Sequence, residues 1–132
     1  MVGLDTNIVL RYIMQDDERQ SAIASRIFEE DISAARKGFI SSVVLCEAVW
    51  VLVRSYKLKR ANVATAIRTL LQTGSLEIEH RECVEKAYDD FTSRPVGFTD
   101  SLLSRISRSY GAETTLTFDR DASQLEYFRL AQ

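Results

Sequence analysis

Three observations predict an α/β fold. Short apolar runs alternate along the chain with longer segments of helical periodicity. Acidic or serine residues stand where several of those runs end. Five Gly and one Pro in 132 residues leave little length for linkers or long loops. Short strands alternating with helices imply crossover units and a short parallel sheet covered by helices on both faces. In such sheets function gathers at the carboxyl ends of the strands.

The elements follow in order. Residues 1–4 read as a short buried strand. Ile8, Val9, Tyr12 and Ile13 form one apolar face of a helix from Thr6 to about Met14. Asp17 followed by Gln20 resembles a capping box, opening a helix from about Glu18 to Lys37 with Ile23, Ile27 and Ile32 inward. Gly38 breaks that helix, and Phe39-Ile40 reads as a strand. Ser41 or Ser42 caps the next helix, which runs through Val43, Val44, Val49, Trp50, Val51 and Val53 to about Tyr56. Its first half is rich enough in valine to imitate a strand, but its length and serine cap favour helix. Arg60–Gln72 carries the stripe Val63, Ala66, Ile67, Leu70 and Leu71. Leu76-Glu77-Ile78 alternates as a strand. A helix is expected from about Arg81 to Thr92 and, after a break at residues 94–97, another capped by Thr99 and running to Tyr110. Residues 114–118 complete the strands, and 121–127 read as a short helix or turn.

The bulk numbers set limits. A length of 132 residues fits one domain spanning the whole chain, with 45% hydrophobic and 27% charged residues as in ordinary folded proteins. No basic region followed by an apolar one opens the sequence, and no apolar run approaches the roughly 18 residues that span a bilayer. Cys46 and Cys83 have no metal-type spacing and read as reduced thiols, which points to the cytoplasm. A net charge of −2 excludes a uniformly basic nucleic-acid binder. The distribution is less even than the sum. No acid falls between Glu47 and Glu77, whereas Arg54, Lys57, Lys59, Arg60 and Arg68 do. A chain with separate acidic and basic regions suits a polyanion held against bound metal.

Four acids carry the chemistry. Asp5 ends the first apolar run, Asp119 ends the run Thr114-Thr115-Leu116-Thr117-Phe118, and Asp100 lies in the first turn of a helix. Each has a local use as a helix cap or dipole partner. Glu47 differs. Val43, Trp50 and Val51 are its helical neighbours, so it shares an apolar face and lacks a basic partner one turn away. Converging carboxylates would repel one another unless a cation compensates them. Hard oxygen ligands without clustered His or Cys select Mg²⁺ or Mn²⁺ over zinc. His80, the single histidine, matches no catalytic pattern.

Asp5-Thr6-Asn7 with Arg11-Tyr12, the stretch from Ser42 to Leu52 around Glu47, Phe98-Thr99-Asp100-Ser101-Leu102-Leu103, and Leu116-Thr117-Phe118-Asp119-Arg120 occur in that order. Together they resemble the PIN-domain ribonucleases, and within them the VapC-like toxins of toxin–antitoxin pairs. The resemblance implies a PIN-like three-layer α/β/α domain and a metal-dependent endoribonuclease. It implies that Asp5, Glu47, Asp100 and Asp119 hold Mg²⁺ or Mn²⁺, with Asp5 and Asp100 as direct ligands. Thr6, Asn7 and Thr117 would steady the pocket, with Asp121 a weaker accessory candidate; it is the acid-free basic segment that makes Arg54, Lys57, Arg60 and Arg68 candidate RNA contacts. A homodimer and a cognate antitoxin are implied too, with exposed residues of the first two helices as candidate antitoxin contacts; Tyr12 is one of them, although the periodicity there favours core over interface. Where the family often carries a further acid before the third carboxylate, this chain has Gly97. A catalytically silent PIN-like scaffold binding RNA or protein is the alternative. A receiver-like phosphoacceptor fits less well, because Asp5 stands alone after its strand and no lysine follows the last one.

Overall fold

The computed structural model describes residues 1–132 as two compact units, Met1–Glu79 and His80–Gln132. The first unit contains β1 (Val2–Gly3), α1 (Thr6–Met14), α2 (Glu18–Arg26), β2 (Gly38–Ile40), α3 (Ser42–Arg54), α4 (Arg60–Leu71) and β3 (Leu76–Ile78). Its three strands form a parallel sheet in the order β1-β2-β3, with Val2 opposite Gly38 and Gly38 opposite Leu76. Parallel neighbours need crossover connections, and helices supply them here. Val9, Ile40, Leu45, Leu52, Val63 and Leu76 are almost wholly removed from water and form the centre of the unit.

β1 departs from expectation. It is the sheet's edge strand, and Val2 and Gly3 are exposed; burial begins at Leu4. Asp17 caps α2 by accepting the Gln20 amide at 2.7 Å, but the reciprocal bond of a capping box is absent. The Gln20 carboxamide oxygen instead accepts from Arg11 Nε at 2.8 Å, and the Asp17 amide donates to Ser21 Oγ. The helix expected to reach Lys37 passes into a π-type turn at Ile27–Asp31 and ends at Ile32. Ser33 stops it. Its amide donates to the Arg36 carbonyl and its hydroxyl accepts the Arg36 amide, a local turn that replaces helical bonds. The chain thus re-enters the sheet at Gly38, where an added Cβ would lie 2.9 Å from Leu4 Cδ1.

The second unit contains α5 (Arg81–Ser93), α6 (Phe98–Ser109), β4 (Thr115–Thr117), a 3₁₀ turn (Ala122–Gln124) and β5 (Phe128–Leu130). The two helices pack together, with the Phe91 and Phe98 rings edge to face at 6.2 Å. β4 and β5 are parallel, with Thr115 opposite Phe128. Val96, Ala122, Leu125 and Phe128 form a small buried cluster. β5 was not expected from its three residues, which are too few to show a period. Thr99 does not cap α6. Gly97 holds the extended N-cap position and its carbonyl accepts the Ser101 amide at 3.1 Å.

The fold is therefore α/β, with six α-helices and short parallel sheets. Leu52 is 1% exposed in the centre of the first unit. Leu52→Ala should lower unfolding stability by about 2–5 kcal/mol through lost burial and the cavity left behind, measured by urea denaturation.

Candidate functional site

In the first unit the chain leaves β1 through buried Leu4, and Asp5 becomes the N-cap of α1. Its Oδ1 accepts the Thr6 amide at 2.7 Å and its carbonyl accepts the amides of Ile8 and Val9. The side chain is exposed, and one oxygen satisfies the helix end. Thr6 is buried beneath it, and Asn7 is exposed beside it.

Glu47 lies on α3, which packs on α1. The expectation that it lies in buried apolar surroundings is corrected. Leu45, Ala48, Val49 and Leu52 form the buried face of α3, whereas Val43, Glu47 and Trp50 lie on the other side. Val43 and Trp50 are 74% and 59% exposed. The helix is apolar nearly all round, so an apolar neighbour did not imply a buried one. Glu47 takes part in none of the unit's salt bridges, which join Arg11 to Asp16, Arg26 to Asp31 and Lys37 to Glu77.

Two clusters around these acids were not foreseen. Glu79, just after β3, accepts the Ser42 amide on Oε1 at 2.8 Å, while Ser41 Oγ accepts the Val44 amide. A carboxylate and a hydroxyl thus cap the helix that carries Glu47. Arg11 donates to Asp16 Oδ1 at 3.0 Å and to Gln20, and Tyr56 donates to Asp16 Oδ2 at 2.6 Å. The Tyr56 hydroxyl bond holds the Asp16 carboxyl below its usual range, with the Arg11 bond adding to it. Both clusters join residues far apart in sequence, and no local pattern announces them. Arg54, Lys57, Arg60 and Arg68 are exposed at the end of α3, in the following loop and on α4.

In the second unit Asp100 is the third residue of α6 and only partly exposed. Burial, and secondly the charge of Asp119, raise its pKa above the ordinary carboxylate range. A Cβ at residue 97 would lie 3.5 Å from Asp100 Oδ2, so glycine leaves this side of the carboxylate open. Asp119 follows β4. Its Oδ1 accepts the amides of Asp121 at 2.8 Å and Ala122 at 3.3 Å, and its own amide donates to Thr117 Oγ1 at 3.0 Å. Asp121 is exposed and contributes its amide to that turn. His80 opens α5, and its ring meets Tyr110 edge-on at 6.0 Å.

The second unit thus brings Asp100 and Asp119 within electrostatic reach of each other, and the first places Asp5 and Glu47 on two packed helices. No three His, Cys, Asp or Glu side chains gather within either unit closely enough to hold a metal ion. The donor chemistry nevertheless fits Mg²⁺ or Mn²⁺. All four side chains offer hard oxygens, and Asp100 and Asp119 repel in a way that a divalent cation reverses.

The PIN domain family model matches residues 2–126. The VapC ribonuclease of Aquifex aeolicus (strain VF5) is 25% identical over 124 residues, covering 94% of this chain and 91% of that protein. The crystal structure of Mycobacterium tuberculosis VapC20, a sarcin–ricin loop cleaving toxin, is similar over 96% of each chain, with 20% identity and a TM-score of 0.45.

A carboxyl with a raised folded-state pKa favours folding fully below its unfolded pKa. That contribution is lost as pH rises through the folded value. In chelator at pH 7, Asp100→Asn should therefore melt above the wild type, and the difference should vanish in acid below the ordinary aspartate range. Thermal melts across pH check this; a variant that melts lower at neutral pH would show that the ionised form of Asp100 is not disfavoured in the fold.

Proposed function

The chain belongs to the PIN-domain family, and on that premise we propose that it is a Mg²⁺- or Mn²⁺-dependent endoribonuclease, the toxin of a toxin–antitoxin pair. The observation that carries the reading is the Asp100–Asp119 pair, two carboxylates brought near each other at an element's start and a strand's end. Asp5, Glu47, Asp100 and Asp119 form the proposed quartet within one domain, Asp5 and Asp100 as direct ligands and the other two directly or through water.

A bound divalent cation would supply Lewis acidity, orienting water and offsetting charge on the phosphodiester. The chain's own residues prepare the site. The Thr6 amide fixes one oxygen of Asp5, and the amides of Asp121 and Ala122 fix one oxygen of Asp119. Thr117 Oγ1 accepts the Asp119 amide and sets the turn that presents it. Asn7, exposed beside Asp5, is a polar partner for water or phosphate. Arg54, Lys57, Arg60 and Arg68 grip phosphates without reading sequence.

The partners in this reading are RNA, an antitoxin and a second copy of the chain. A cavity of about 550 Å³ in the first unit, lined by Tyr12, Met14, Leu58, Ala66 and Leu70 among others, suits an apolar antitoxin segment. The exposed Val43 and Trp50 side of α3 suits the second copy. No helix is long and apolar enough to cross a membrane, and the cytoplasm is the compartment this reading assigns.

Purified protein should cleave a bacterial RNA pool with Mg²⁺ or Mn²⁺ and lose that activity with chelator. Asp5→Asn and Asp100→Asn should abolish cleavage while circular dichroism shows the fold retained. Undiminished cleavage by either variant would remove the metal quartet, and a wild type that binds metal and RNA without cutting would favour a silent scaffold. Neutralising Arg54, Lys57 and Arg60 together should flatten the slope of log affinity against log salt by about 2 for single-stranded RNA. An unchanged slope would assign these residues to solvation.

A further inference from the structure

We infer that Asp90 is a positioning residue for Asp100: by clamping Ser101 and Arg105, it fixes the first turns of α6 and so the direction in which the Asp100 carboxylate points. The inference rests on the reading that Asp100 and Asp119 help hold a divalent cation.

Asp90 lies on α5 with its side chain 15% exposed. It receives three hydrogen bonds from α6. The Ser101 hydroxyl donates to Oδ2, Arg105 Nε to Oδ2 at 3.1 Å, and Arg105 Nη2 to Oδ1 at 3.0 Å. Ser101 is fully buried, so its hydroxyl has no water to turn to instead. The two-pronged guanidinium bond has a planar geometry that resists rotation, and each charged bond is stronger than a neutral one. With the pair satisfied, Asp90 serves as an anchor and not as a fifth ligand.

The anchor reaches the other half of the acid pair. Arg105 Cζ stands 5.1 Å from the centre of the Tyr127 ring, a cation–π contact. The Tyr127 carbonyl accepts the Thr115 amide at 2.7 Å, which holds β4, and Asp119 follows β4. One connected set of contacts therefore runs from α5 through α6 to the strand before Asp119. Consecutive helical residues are turned by about 100°, so pinning Ser101 against α5 dictates where Asp100 faces. Repulsion from Asp119 would otherwise favour rotating that carboxylate away.

Calorimetric titration with Mn²⁺ tests this on the full chain, comparing wild type, Ser101→Ala, Asp119→Asn and the double variant, with Asp100→Asn as control. Ser101→Ala should melt cooperatively yet bind Mn²⁺ about tenfold more weakly, in the range for an outer group that orients a ligand. In the Asp119→Asn background the same change should have almost no further effect, because the opposing carboxylate is gone. Equal Mn²⁺ affinity in Ser101→Ala and wild type, or the same loss in both backgrounds, would overturn the positioning role. If Ser101→Ala does not fold, Arg105→Lys keeps the charge, loses the two-pronged geometry and must show the same pattern. Unchanged affinity in Asp100→Asn would overturn the cation reading itself, and this inference with it.

Discussion

A partly buried carboxylate beside a second acid has its charged form disfavoured by lost hydration first and by the neighbouring charge second. Asp100 is in that position: burial, and secondly the charge of Asp119, disfavour its ionised form. Asp5 and Asp119 are tied to element ends by short-range bonds, and Asp100 by its place in a helix. Asp119 accepts two turn amides, Asp5 accepts the first amide of α1, and Asp100 occupies the first turn of α6. These helix-end and turn amides favour negative charge, but they act on one oxygen of Asp5 and one of Asp119. The other oxygen of each takes part in none of these bonds.

The connectivity explains why acids stand at those ends. Strands joined in parallel by helical crossovers all point the same way, so the residue after each strand belongs to one edge of its sheet. Asp5 follows β1, Ser41 and Glu79 follow β2 and β3, and Asp119 follows β4. The polar residues after β2 and β3 are turned to structural use as caps of α3. Asp5 and Asp119 keep capacity beyond their local bonds.

Much of this was legible in the sequence because it is local. The spans of α1, α3, α4 and β3 follow from apolar spacing and caps such as Ser41, whose effects reach only three or four residues. The early end of α2 was not legible, because the Ser33–Arg36 turn competes with helix through bonds that composition does not weigh. The apolar neighbours of Glu47 suggest burial, yet α3 carries more apolar surface than its unit covers and Glu47 is exposed. The acids of the proposed site were readable from their places and order. Their supports were not. Asp90 meets Arg105 across fifteen positions and Glu79 meets Ser42 across thirty-seven, so only folding reveals them.

The proposed function requires Asp5, Glu47, Asp100 and Asp119 to hold a divalent cation jointly. A crystal structure of the protein soaked with Mn²⁺, with the metal located by its anomalous scattering, tests that most directly. The expected result is an anomalous peak in direct contact with carboxylate oxygens of Asp5 and Asp100, with Glu47 and Asp119 completing the site directly or through water. A peak bound elsewhere, or none at saturating Mn²⁺, would contradict it.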